Sequence, residues 1–203
     1  MIGASVVTGS GVVDGLSVTE LLEAHRLGND GALDRAFAII YDELRGLARY
    51  QLGRGRGNSL NTTALVHEFY LKLAASDGTT LENRAHFLSL ASRAMRQIVV
   101  DCARARAAGK RGGDAHRIPL DTNEIQVDDQ AEWILAVHQA LEQIREVDER
   151  LEQVFDCRYF AGLSEEQSAT ALGVSVSTVQ RDWRRAKAWL REALADGESS
   201  PTK

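Results

Sequence analysis

Apolar residues recur at spacings of three and four along almost the whole chain, and only Pro119 and Pro201 interrupt it. Leu33, Phe37, Ile40, Tyr41, Leu44, Leu47 and Ala48 form one stripe, and Leu65, Val66, Phe69, Tyr70 and Leu73 a second. A third runs through Phe87, Leu88, Ala91, Ala94, Met95, Ile98, Val99 and Cys102. Later come Ile134, Val137, Leu141 and Ile144, then Leu151, Val154, Phe155 and Tyr159, and last Val179, Trp183, Ala186 and Leu190. Such spacing gathers apolar groups on one side of a helix, whereas strands need alternation. The fold expected is all-α, in two helical domains.

Breaks in the pattern divide the chain. Residues 1–16 are rich in Gly, Ser and Val and are expected to fray. GRGRGN at 53–58 and SDGTT at 76–80 read as loops. The stretch 109–131 combines Gly109, Gly112, Gly113 and Pro119 with acids and has no period. The expected plan is therefore a larger helical domain over 17–112, a flexible acidic linker over 113–130, a smaller domain over 131–196 and a tail over 197–203. With 44% hydrophobic and 26% charged residues among 203, wholesale disorder is excluded. No apolar run approaches the roughly 20 residues that cross a bilayer. The first ten residues lack a basic start and a long apolar core, so a cytoplasmic protein is expected. Cys102 and Cys157 sit in no C-x-x-C or Cys/His cluster, and neither disulfide framework nor zinc is expected.

The net charge of −5 conceals a strong asymmetry. Arg93, Arg96, Arg104, Arg106, Lys110 and Arg111 face one acid, Asp101, between positions 93 and 112. Arg181, Arg184, Arg185, Lys187 and Arg191 face only Asp182 between 181 and 191. Asp121, Glu124, Asp128, Asp129 and Glu132 lie between the two. Two basic segments split by an acidic one fit two separate anionic contacts, or two solvated helix faces.

The second basic segment sits in a recognisable frame, LSEEQSATALGVSVSTVQRDWRRAK at 163–187. Ser164 with Gln167 forms a capping-box pattern, and Ser177 with Gln180 repeats it. Gly173 between Leu172 and Val174 supplies a turn, small Ala169 permits close approach, and Val179 can pack one helix on the other. These features predict a helix-turn-helix. Its second helix would present Ser177, Thr178, Gln180 and Arg181 to base edges, and Arg184, Arg185 and Lys187 to phosphates. Ser168 stands where an aliphatic residue is usual, and a plain helical hairpin with a charged outer face is the competing explanation.

Taken in order, NTTALVHEFYLKL (61–73), RAHFLSLASRAMRQIVVDCARARAAGKR (84–111), the linker and the helix-turn-helix resemble the extracytoplasmic-function group of bacterial sigma factors. The resemblance spans about residues 17–196. It implies two helical domains, regions two and four, that bind core RNA polymerase and direct it to promoter DNA. Leu65, Val66, His67, Glu68, Phe69 and Leu71 match the L-V-Q-E-x-F-L helix that docks on the polymerase β′ clamp, with His67 in place of Gln. Arg93, Arg96, Arg104 and Arg106 fall on the helix that meets the −10 element. Asn83 and Arg84, before it, would hold an extruded −10 base; such a pocket and Arg–phosphate pairs can offset the few kcal/mol of unstacking. Phe87 and Met95 belong to the apolar stripe and are expected in the core. Region four implies contact with the β flap and the −35 element.

Two departures matter. Asn61-Thr62-Thr63-Ala64 stands where the group has an acidic D-A-E-D, so the carboxylates that would face the clamp are missing. Phosphorylation of Thr62 or Thr63 by a Ser/Thr kinase would add about −1.5 to −2 charge near a helix N-terminus, replacing control by a sequestering anti-sigma factor. The simpler alternative is that Asn61 or Thr62 caps the helix. Gln180-Arg181-Asp182 replaces the more usual Lys-Ser-Arg, so no −35 preference can be transferred.

A different class also fits: a free-standing helix-turn-helix regulator that grips operator DNA as a dimer without polymerase. An enzyme does not. There is no Gly-rich phosphate loop, nucleophile motif or metal-ligand spacing; His25, His67, His86, His116 and His138 are scattered; and no cofactor is implied.

Overall fold

A computed structural model describes residues 16–52, 59–75, 81–110 and 131–198. The expected loops at 53–58 and 76–80, the linker 113–130 and all of 1–16 except Leu16 lie outside those residues. Among the described residues eight α-helices follow in order: α1 Val18–Arg26, α2 Asp30–Gln51, α3 Ser59–Ala74, α4 Arg84–Lys110, α5 Ala131–Val147, α6 Glu149–Phe155, α7 Glu165–Leu172 and α8 Val176–Glu198. A π-helical turn, Asp156–Phe160, extends α6. The fold is all-α, as the periodicity requires. Helix α4 continues through Gly109 to Lys110, inside the 17–112 stretch, and α8 runs on to Glu198.

Local chemistry explains several ends. The Ser17 hydroxyl accepts from the Glu20 amide at 3.3 Å, and the Glu20 carboxylate accepts from the Ser17 amide at 2.6 Å. This capping box starts α1, an addition to the two that the sequence suggests. Asn83 starts α4, its side-chain oxygen accepting from the His86 amide at 2.9 Å. The Asp148 carboxylate does the same for α6, accepting from the Arg150 amide at 3.2 Å.

The apolar stripes pack as their phase demands. Leu21, Leu22, Ile40, Leu44, Leu65, Val66, Phe87 and Met95 are all buried in the α1–α4 core. Phe69 links it together, 6.3 Å from Phe37 and 5.8 Å from Phe87 between ring centroids. A second cluster joins Leu141, Ile144, Leu151 and Phe155 to Ala186 and Leu190.

The two helical halves also touch. Cys157, Ala161, Leu163 and Ala171 belong to the same apolar cluster as α1–α4, so that core continues into the C-terminal half. Ser89 Oγ and Cys157 Sγ lie 3.2 Å apart, and Tyr50 and Tyr159 meet edge-on at 5.5 Å. Both cysteines are buried, and burial pushes Cys157 up to about 11, leaving it protonated. Among the described residues no helix is long and apolar enough to cross a membrane.

Candidate nucleic-acid interface

Helix α7, the turn at Gly173 and helix α8 form the helix-turn-helix. The Ser164 hydroxyl accepts from the Gln167 amide at 3.1 Å, and the Gln167 side chain accepts from the Ser164 amide at 2.8 Å. Gly173 is left-handed at φ 63°, ψ 31°, the conformation in which a side chain is strained. Buried Ser168 finds its partner locally, donating to the Ser164 carbonyl at 2.8 Å, so a polar residue is tolerated there. The second capping box does not form. Helix α8 starts at Val176, and it is the Ser175 hydroxyl that accepts from the Thr178 amide, at 3.2 Å. Ser177 is already helical, and Gln180 donates to the Glu165 carboxylate at 2.6 Å across the hairpin. A Ser164→Ala variant is expected to lose about 1 kcal/mol in urea unfolding; an unchanged midpoint contradicts the cap.

The phase of α8 separates two faces. Val179 is fully buried against Val154 and Ala169, and Ala186 and Leu190 point inward as well. Ser177, Gln180, Arg181, Arg184 and Arg185 are exposed, while Thr178 and Lys187 are half-buried. Lys187 sits over the Trp183 ring at 5.0 Å. Asp182, which the sequence offers only as a counter-charge, is fully buried. It accepts from Arg150 Nε at 2.6 Å and Arg181 Nε at 3.1 Å, with Arg185 at 3.8 Å. Burial raises its carboxyl pKa, but the hydrogen bonds from Arg150 and Arg181 outweigh that and hold it below the usual range. An anchored carboxylate thus fixes the roll of α8 and orients two of its outward arginines.

On α3 the expected polymerase-binding residues divide. His67 and Leu71 are exposed; Leu65, Glu68 and Phe69 are buried. His67 borders a shallow groove of about 500 Å³ with Asp34, Phe37, Tyr41 and Tyr70, and the Tyr70 hydroxyl donates to Asp34 at 2.5 Å. Since α3 begins at Ser59, Asn61 and Thr62 lie inside its first turn rather than at the cap. Thr62 is buried and Thr63 half-buried.

The expected −10 residues lie on or just before α4 but do not share one free face. Asn83 is the helix cap described above, and Arg84 pairs with Glu43. Arg104 is exposed near Asp101 at 3.5 Å; the side chain of Arg106 lies outside the described residues. Arg96 is buried between the halves. Its guanidinium donates to Glu152 at 2.6 Å and Asp156 at 2.9 Å, lies 3.3 Å from His138 Nδ1 and stacks over Phe160 at 5.6 Å. Arg93 approaches Asp156 at 3.7 Å. Glu152, Asp156 and His138 are additions that sequence reasoning missed. The available signal was two acids four apart in an apolar segment, which only a partner from elsewhere can satisfy.

Burial would lower the Arg96 pKa, but Asp156 and Glu152 raise it, so it stays charged. Burial and then the neighbouring Glu152 push Asp156 up to about 6, against the pull of Arg96 and Arg93. His138 is lowered by burial and by Arg96 and Arg104. The signs oppose. Folded Asp156 binds its proton more readily than unfolded Asp156, so its contribution to stability grows as pH falls through about 6 towards 3.8. His138 binds its proton less readily when folded, so its contribution shrinks as pH falls through 6.5. Asp156→Asn removes only the first. Between about pH 7 and pH 4, wild type is expected to gain up to about 3 kcal/mol relative to that variant. Parallel pH profiles in urea unfolding contradict this.

An all-α chain carrying a helix-turn-helix with a basic outward face is the framework of a DNA-contacting protein. Comparison with protein families matches residues 16–196 to the ECF sigma factors. The chain belongs to the ECF sigma factor family, whose members are non-enzymatic and act in transcription initiation with core RNA polymerase and promoter DNA. A search of curated proteins found no match.

Proposed function

We infer that this sigma factor directs promoter-specific initiation through two units, 17–112 and 131–196, that divide the promoter between them. The α8 face bearing Ser177, Thr178, Gln180 and Arg181 would read the −35 element, with Arg184, Arg185 and Lys187 on phosphates. The α4 arginines Arg93, Arg96, Arg104 and Arg106, with Asn83 and Arg84, would meet the −10 element. His67 and Leu71 on α3 would touch the β′ clamp over the buried support of Leu65, Glu68 and Phe69, and region four would meet the β flap. The observation that carries the −35 assignment is the exposed polar row on α8 set opposite buried Val179, Asp182 and Ala186. Because Arg96 and Arg93 face Glu152 and Asp156, −10 contact requires the halves to separate. Arg184→Ala is expected to weaken promoter transcription and lower its salt slope by about 1, as loss of one phosphate contact does; an unchanged slope removes Arg184 from the interface.

Core binding is proposed to depend on phosphorylation of the 61–64 segment by a Ser/Thr kinase. Half-buried Thr63 is the favoured acceptor over buried Thr62. A phosphate on Thr63, just past the first turn of α3, restores negative charge to the segment where the group carries its carboxylates. Thr63→Glu is expected to bind core polymerase at least about fivefold more tightly than Thr63→Ala, near 1 kcal/mol. Equal binding by both variants and the unmodified protein overturns the switch.

A further inference from the structure

A cavity of about 650 Å³ lies between the two halves, where α2, α4, α5, the π-helical turn and α8 converge. That is the size of a small-molecule site. Val99, Val137, Phe155, Phe160, Leu190 and Leu194 supply an apolar wall. Its charged lining is of one sign: Arg49, Arg96, Lys187 and Arg191 border it, and no carboxylate does among the described residues. Arg96 is the informative member. It is 8% exposed, its terminal nitrogens are occupied by Glu152, Asp156 and His138, and its buried Nε has no hydrogen-bond partner among the described residues. Arg96 thus lends the wall positive charge while its own contacts stay within the fold, which leaves Arg49, Lys187 and Arg191 to meet an anion.

We propose that this cavity is a binding site for an amphipathic carboxylate, an apolar body carrying a single anionic head, that clamps the two halves together. The body lies against Val137, Phe160, Leu190 and Leu194, where burial is favourable and shape demands are loose. The carboxylate is held at the cationic side by Arg49 and Arg191, within the field of Lys187. An uncharged ligand leaves those cations unanswered, and a cationic one is repelled. The ligand touches α2 and α4 on one side and α5 and α8 on the other, so it binds the packed arrangement and not a separated one. The site stands independently of the promoter assignments. Its regulatory consequence, that the ligand keeps Arg93 and Arg96 turned towards Glu152 and Asp156, rests on them.

The probe is the fluorescent anion anilinonaphthalene sulfonate, titrated into the full-length protein below micellar concentrations of competitor. Saturable binding to one site is expected, with displacement by laurate at least about tenfold more effective than by dodecylammonium. Laurate is also expected to raise the unfolding midpoint and slow amide exchange where α4 meets α5. Val137→Trp, which fills the cavity, is expected to abolish displaceable binding while helical content is kept. Arg49→Gln/Arg191→Gln, on exposed side chains that folding does not require, is expected to weaken laurate by about tenfold with the apolar wall intact. Equal competition by laurate and dodecylammonium, undiminished binding in folded Val137→Trp, or no displaceable binding overturns the proposal. These outcomes read out without polymerase, so failure of the promoter assignments leaves them unaffected.

Discussion

Arg96→Ala is expected to lose about 3–5 kcal/mol of folding stability, which in a protein of ordinary stability is a large share of the total. The variant leaves Glu152 and Asp156, 2% and 0% exposed, without the guanidinium that joins them, while Arg93 still lies 3.7 Å from Asp156. Two carboxylates in that setting repel each other and have lost the charge that justified their burial. Part of the loss returns if the acids are neutralised: Arg96→Ala/Glu152→Gln/Asp156→Asn is expected to be more stable than Arg96→Ala alone. That reversal separates a charge effect from the loss of packing against Phe160. Urea unfolding measures both, and a loss below about 1 kcal/mol, or a triple variant weaker than the single one, contradicts the buried network.

Val179→Asp is expected to disrupt the helix-turn-helix, losing upwards of about 4 kcal/mol. Val179 is fully buried between Val154 and Ala169, where a carboxylate has neither water nor a partner. Nearby Asp182 survives burial only because Arg150 and Arg181 hold it. The introduced carboxylate would have no such donors and would add like charge one turn away. Promoter-directed transcription is expected to vanish with the lost helical signal. Ser177→Ala, on the exposed side of the same helix, is expected to keep its helical content. Circular dichroism with transcription from a matched promoter distinguishes them, and a fully helical Val179→Asp protein contradicts the packing.

The helical periodicity carries most of the fold. Where a stripe is regular, as in Val179, Ala186 and Leu190, its residues are buried as the phase requires. The start of α8 is ambiguous in the sequence because Ser175 and Ser177 can each cap it, each with a polar residue three positions on. Only the observed pairing of Gln180 with Glu165 and of Ser175 with the Thr178 amide decides between them. Asp182 reads as a surface charge when charges alone are counted, although it lies three residues after Val179 and four before Ala186, on the buried face. Glu152 and Asp156 carry the same signal, but their partner is more than fifty residues away on α4. Local periodicity can mark an acid as buried; it cannot say which cation meets it. The same limit hides the cavity, whose walls come from both halves of the chain.

Reconstituted transcription tests the central claim most directly. Purified protein, with Thr63 as Thr, phosphothreonine or Glu, is combined with bacterial core polymerase on a library of genomic fragments. The prediction is initiation at a defined set of start sites, dependent on this chain and strongest with a negative charge at Thr63. Protection of palindromic DNA by the chain alone, with no start-site selection by polymerase in any of the three states, would contradict it.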